Sequence, residues 1–172
     1  MARHNFVLQY DPALIPKLAA EYLRRFACDD RAMEMAGKRI ARGERTRENL
    51  KTICGWKSKR RLALLALNTD SEIDAALSVA LNSKSIGDAV TALTALHGVG
   101  LKMASAILTA IDPDNYTMLD FRALQALGVA DGSAVDLYIS YVEACRRLAA
   151  AHGCSLRDFD RANWQWSKRN SN

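Results

Sequence analysis

The chain has 172 residues, of which 49% are hydrophobic and 25% charged, and its formal net charge is +5. This composition is that of an ordinary folded domain and excludes a disordered chain, while the length suits one domain or two lobes that share a core. No apolar run approaches the length of a membrane-spanning helix, and residues 1–6 lack the apolar segment of a signal peptide. We therefore expect a cytoplasmic protein with no membrane partner, and the basic excess favours a polyanion without identifying it.

The four cysteines predict neither a metal site nor a cluster. They stand at positions 28, 54, 145 and 154, and no two of them are separated by two residues. Their spacing fits no zinc or iron–sulfur pattern, so we expect reduced thiols and no such cofactor.

Nearly every segment has the apolar spacing of a helix, and alternating β-branched runs are absent, so the sequence predicts an all-α protein. We expect about ten short helices, over residues 11–27, 29–43, 46–56, 58–67, 69–81, 85–97, 100–111, 120–128, 134–151 and 155–168. Their starts are marked by residues that favour the N-cap position, namely Asp11 before Pro12, Asp29 or Asp30, Thr46, Thr69 or Asp70, Ser85, Asp120 and Ser155.

The segment around residues 90–111 predicts an anion site. Leu93 and Leu96 are expected on the core side of the incoming helix, and Gly98, Val99 and Gly100 form a tight turn in which glycine permits a positive φ and close approach of the backbone. Because the outgoing helix begins there, its first N–H groups and its dipole would bind a phosphate, with Val99 filling the interior. A monovalent cation could also bind at this turn. The alternative is a plain corner between two helices, but the wider pattern favours a helix-hairpin-helix, with small and apolar residues downstream at Ala104, Ile107 and Leu108.

Lys102 and Asp120 are candidates for chemistry. The positive end of the helix dipole disfavours an ammonium group on Lys102, and a neutral amine can attack an electrophilic carbon. Its helical neighbours Ser105, Ala106 and Thr109 are small, so we expect a smooth surface there that could accept a ligand. Asp120 follows 18 residues later, and as an anchored N-cap carboxylate it could stabilise positive charge on a sugar. Alternatively, Lys102 only contacts phosphate at the surface, and Asp120 only caps a helix.

Two segments carry a family resemblance. Residues 96–104, L-H-G-V-G-L-K-M-A, resemble the endonuclease III pattern L-P-G-V-G-R-K-T-A, and residues 116–120, Y-T-M-L-D, resemble the segment that ends in that family's essential aspartate. The chain thus resembles the helix-hairpin-helix, Gly-Pro-Asp superfamily of DNA glycosylases. It departs from the pattern at His97, which replaces a proline, at Phe121 and Arg122, where a histidine often follows the aspartate, and in lacking the four-cysteine cluster.

The resemblance implies a base-excision-repair enzyme that acts on double-stranded DNA, and we expect the protein to be a monomer. Lys102 would form a Schiff base with the sugar and Asp120 would assist it, giving base removal followed by β-elimination, with the damaged base flipped out of the duplex. The implied fold has two helical lobes around a substrate cleft: a central lobe over about 45–130 that includes the hairpin, and a second lobe of 1–43 plus 133–172. A monofunctional glycosylase, in which Asp120 activates water, and a non-catalytic DNA-binding or accessory protein remain as alternatives.

A basic segment provides further candidate DNA contacts. Lys57, Lys59, Arg60 and Arg61 follow Trp56 closely, and such a group could hold a DNA backbone or stack on a base. The alternative is a solvated helix surface with Trp56 in the core. Two further tryptophans, at 164 and 166, are expected to anchor the last helix.

Overall fold

A computed structural model describes residues 4–171, so the chain termini included in the lobe prediction, residues 1–3 and 172, lie outside the described residues. Within 4–171 the chain is all-α, as predicted, and contains no β-strand. In the described residues, two 3-10 turns, Pro12–Leu14 and Lys59–Arg61, accompany nine helices, which we number α1 (Ile15–Ala41), α2 (Arg47–Lys57), α3 (Leu62–Leu65), α4 (Asp70–Asn82), α5 (Ile86–Thr94), α6 (Leu101–Ile111), α7 (Phe121–Ala126), α8 (Val135–Ala151) and α9 (Leu156–Asn170). No helix in this part of the chain is long and apolar enough to cross a membrane.

Most predicted helix starts are confirmed, because an N-cap depends on local chemistry. Thr69 shows this best: its hydroxyl accepts from the Glu72 N–H (3.2 Å), and the Glu72 carboxylate accepts in return from the Thr69 N–H (2.6 Å). The other predicted caps whose side chains accept a first-turn N–H are Asp11, Thr46, Ser85, Asp120 and Ser155.

The predicted helix break at Asp29 or Asp30 is wrong. Helix α1 continues without interruption from Ile15 to Ala41, and Asp30 is buried within it. The apolar stripe continues past this point through Met33 and Ile40, both fully buried, so packing of that face outweighs the local tendency of aspartate to start a helix.

Two further boundaries differ from the prediction. Residues 58–67 form a 3-10 turn, Lys59–Arg61, and the short helix α3 instead of one continuous helix. Helix α5 ends at Thr94 and not near residue 97, because the chain turns there, with the Leu96 N–H donating to the Leu93 carbonyl (3.2 Å).

The chain divides into two compact units. The described residues of unit 1 are 4–27 and 114–171, and unit 2 comprises Cys28–Pro113. The sequence predicts lobe boundaries near residues 44 and 130, whereas the units of the structure are divided at 27/28 and 113/114. Residues 114–130 belong to unit 1 because α7 packs against α9 and because two buried hydroxyls hold the preceding segment: Tyr138 donates to the Thr117 carbonyl (3.2 Å) and Tyr141 to the Met118 carbonyl (2.9 Å).

Helix α6 is the central helix of unit 2. Every residue from Met103 to Ile111 is buried, and α2 and α5 both pack against this helix. Helix α1 approaches it at Gly37, where a Cβ would lie only 1.9 Å from the carbonyl oxygen of Ala110. The two backbones are therefore in direct contact, and no residue with a side chain fits at position 37 without moving a helix.

Candidate functional site

The glycine turn, residues 98–100, connects the α5 region to α6. Gly98 has φ +85°, a conformation that L residues rarely adopt, and the Val99 N–H donates to the Leu96 carbonyl (3.1 Å). Val99 is buried, as are Leu93 and Leu96, which confirms that these side chains face the core. Gly100 is exposed and stands at the N-cap of α6 without offering a side-chain cap. The turn thus presents backbone, and no side chain, at the start of a helix.

The glycine turn lies directly against the basic segment. A Cβ at Gly98 would lie 3.0 Å from the Arg61 carbonyl oxygen, 3.1 Å from Leu64 Cβ and 3.2 Å from the Leu65 nitrogen. The structure therefore brings together two regions that the sequence analysis singled out separately, 98–100 and 57–61. We call the 3-10 turn Lys59–Arg61 the basic turn.

The charges of the basic turn are not compensated. Lys59, Arg60 and Arg61 are all exposed, and none of them pairs with a carboxylate anywhere in residues 4–171. Lys57 and Trp56, at the end of α2, are half-buried. Three neighbouring cations without counter-charges create a local positive potential, which attracts anions more strongly than the net charge of the chain suggests.

Asn68 fixes the glycine turn in place, although no pattern in the sequence predicted this role. Its Oδ1 accepts from the His97 N–H (2.8 Å), and its Nδ2 donates to the carbonyls of His97 (3.1 Å) and Leu65 (3.0 Å). Arg47 in turn donates to the Asn68 carbonyl (2.5 Å) and to that of Leu65 (3.2 Å). The buried amide joins the segment after α3 to the residue before Gly98, and the only signal in the sequence is an asparagine just before a helix cap.

Lys102 is the second residue of α6 and is half-buried. The expectation of an open, smooth surface beside it is wrong, because Ser105, Ala106 and Thr109 are all buried. The Ser105 hydroxyl donates to the Lys102 carbonyl (2.8 Å) and the Thr109 hydroxyl to the Ser105 carbonyl (2.8 Å). These small polar residues satisfy their hydroxyls within α6 itself, which lets the helix occupy the middle of unit 2.

Asp120 belongs to unit 1, whereas Lys102 and the glycine turn belong to unit 2. Its Oδ1 accepts from the Arg122 N–H (3.0 Å), so the predicted cap of α7 is confirmed. The carboxylate is half-buried and anchored by the helix that it starts.

The remaining sequence candidates pack within the fold. Trp166 stacks on Tyr10 at 5.5 Å between ring centroids, and Trp164 meets Tyr22 edge-to-face at 5.4 Å, so both tryptophans anchor α9 within unit 1 as predicted. Burial raises the pKa of the Cys54 thiol to about 12, which makes it a poor nucleophile. Within residues 4–171 no group of three or more histidine, cysteine, aspartate or glutamate side chains is arranged to hold a metal ion.

No protein-family model matches this chain, and no curated protein or solved structure is detectably similar to it.

Proposed function

We propose that this protein binds duplex DNA through the surface formed by the glycine turn and the basic turn. The observation that carries the proposal is the packing of Gly98 against residues 61–65, which brings the backbone at the end of the basic turn against the glycine turn that starts α6 and offers only backbone. Backbone N–H groups at a helix N-terminus favour a phosphate, and cations favour the neighbouring phosphates along the strand. Asn68 supports this role by holding the turn in one conformation.

The salt dependence of binding tests this proposal. Each phosphate contact that is lost from B-DNA should reduce the slope of log K against log salt by about 0.9. Lys59→Gln and Arg60→Gln should each produce that change and weaken duplex binding, as measured by fluorescence anisotropy at several salt concentrations.

Lys84→Gln is the matched control. Lys84 is exposed and forms no ion pair within residues 4–171. It follows the C-terminal end of α4, whereas Asn68 precedes the N-terminal end. This variant loses the same charge and should bind duplex DNA as the unaltered protein does. If Lys59→Gln and Lys84→Gln weaken binding equally, the basic turn is not the contact surface and the proposal fails.

We further propose that the bound DNA is a substrate for base excision, as it is for the glycosylases that the sequence resembles. Two features support this. Lys102 is the second residue of α6, two residues after Gly100, so a DNA backbone held at the glycine turn would lie near its amine. Asp120 is a half-buried carboxylate held in place as a helix cap, which is the state that a charge-stabilising or water-orienting group needs.

Borohydride trapping on abasic DNA, together with base release from a panel of lesion-containing duplexes, separates the candidate functions. A bifunctional enzyme should give a covalent complex that disappears in Lys102→Ala and in Lys102→Arg, since the guanidinium keeps the charge but cannot form the Schiff base. A monofunctional glycosylase should release base without trapping and lose that activity in Asp120→Asn. A protein that binds duplex DNA but processes no lesion would leave only the binding proposal standing.

A further inference from the structure

A second group of cations lies in unit 1, where it is built around two aromatic rings. We call Arg25, Phe26, Arg122, Trp164 and Lys168 the cation–aromatic cluster. Phe26 and Trp164 meet edge-to-face with their centroids 5.2 Å apart. The Lys168 Nζ lies 4.9 Å from the first ring and 4.8 Å from the second, while Arg25 lies over Phe26 (5.4 Å) and Arg122 over Trp164 (5.5 Å). Three positively charged side chains therefore make cation–π contacts with the same two rings.

The charges of the cluster are not neutralised by the protein. Neither arginine nor the lysine pairs with a carboxylate in the described part of the chain, although other cations of unit 1 do, such as Arg157 with Asp160 (2.5 Å). Loss of hydration, followed by repulsion from Arg25 and Arg122, lowers the pKa of Lys168 below its ordinary value. Contacts with ring faces offset part of this repulsion, and an anion bound at the cluster would offset more.

Beside these cations the structure exposes a ring that could stack. Phe121, the first residue of α7, is 49% exposed, and the Arg122 guanidinium carbon lies 4.9 Å from its ring centroid. Cations next to an exposed aromatic face are what an unpaired nucleotide requires, since a single strand offers phosphates together with bases whose faces are free. In a duplex those faces are occupied by neighbouring bases, and an inorganic anion has none.

We infer that the cation–aromatic cluster, together with Phe121, binds single-stranded nucleic acid, with phosphates against the three cations and a base on Phe121. This site lies in unit 1, whereas the proposed duplex surface lies in unit 2.

Anisotropy of fluorescein-labelled dT12 with the full-length protein tests the inference. Arg122→Gln and Lys168→Gln should each weaken binding by about fivefold or more and reduce the salt slope by about 0.7, the value for one single-strand phosphate contact. Lys168→Arg keeps the charge and should retain the affinity. The control Arg147→Gln removes an exposed charge from α8 and should leave affinity and slope unchanged.

Phe121→Ala distinguishes stacking from charge. It should weaken dT12 binding by about fivefold or more without changing the salt slope, because it removes a base contact and no phosphate contact. The inference is overturned if the protein does not bind dT12, if Arg122→Gln and Lys168→Gln bind it as the unaltered protein does, or if a 12-base-pair duplex competes equally for the site. Lys59→Gln, which tests the duplex surface, should leave dT12 binding intact, so that the two proposals fail separately.

Discussion

Replacing Gly37 with alanine should destabilise unit 2 by forcing α1 away from α6. The added Cβ would lie 1.9 Å from the Ala110 carbonyl oxygen and 2.3 Å from its carbon, and both atoms are backbone and cannot rotate away. Overpacking costs up to about 3 kcal/mol, and the better helix propensity of alanine returns about 1 kcal/mol. We therefore expect a net loss of about 2 kcal/mol, which for a chain of this size lowers Tm by about 4–8 °C.

Gly55→Ala is the matched control, because both glycines lie within helices of unit 2. At Gly55 the nearest atom to an added Cβ is Leu62 Cδ1 at 3.5 Å, an ordinary contact. At this position only the higher helix propensity of alanine matters, so the Gly55→Ala variant should be more stable by up to about 1 kcal/mol. Urea unfolding followed by circular dichroism at 222 nm measures both variants. If Gly37→Ala unfolds at the same urea concentration as the unaltered protein or at a higher one, the close approach does not constrain the packing of α6.

Three further predictions concern the surroundings of the glycine turn. Asn68→Ala leaves the His97 N–H and carbonyl without their partner and should cost about 1–3 kcal/mol in urea unfolding. Gly98→Ala should cost about 1–2 kcal/mol from its positive φ. Gly100→Ala, whose Cβ meets no atom within 4 Å, should cost less, about 0.5–1 kcal/mol from the poorer N-cap, and should weaken duplex binding because the Cβ obstructs the approach of DNA to the backbone. Hydrogen bonds from the capping box lower the pKa of Glu72 below its ordinary value of 4.5. The Glu72 carboxylate therefore stabilises the folded state above pH 4.5, and this stabilisation is lost as the pH falls through the lower pKa of the folded state. Glu72→Gln should abolish this part of the pH dependence of the unfolding midpoint.

Features set by neighbouring residues could be predicted from the sequence. The caps at Thr46, Thr69, Ser85 and Asp120 were found because an N-cap needs only a polar side chain two or three residues before the N–H groups that it accepts. The same local rule failed at Asp30, where the apolar face of α1 continues beyond the aspartate and its burial determines the structure.

Features set by distant partners could not be predicted. Asn68 and His97 are 29 residues apart, and no local pattern indicates that an asparagine side chain will pair with that backbone. In the sequence, Gly37 is only a residue of low helix propensity within a helix. Its packing role is visible only when the contact with α6 is known. The open surface expected beside Lys102 failed for a similar reason: small residues on a helix suit a ligand-binding face and close helix packing equally well, and here they are buried.

The placement of unpaired cations, more than the net charge, should decide where this protein binds a polyanion. Arg45 and Arg60 carry the same charge in unit 2, but Arg45 donates to the Asp74 carboxylate at 2.8 Å, whereas Arg60 has no carboxylate partner in residues 4–171. A charge that is already compensated releases few counterions from DNA. Arg45→Gln should thus leave the salt slope for duplex binding unchanged and cost at most about 1 kcal/mol of stability, while Arg60→Gln reduces the slope by about 0.9. Equal changes of the salt slope in both variants would mean that overall charge drives the association. The proposal that the glycine turn is part of the binding surface would then be wrong.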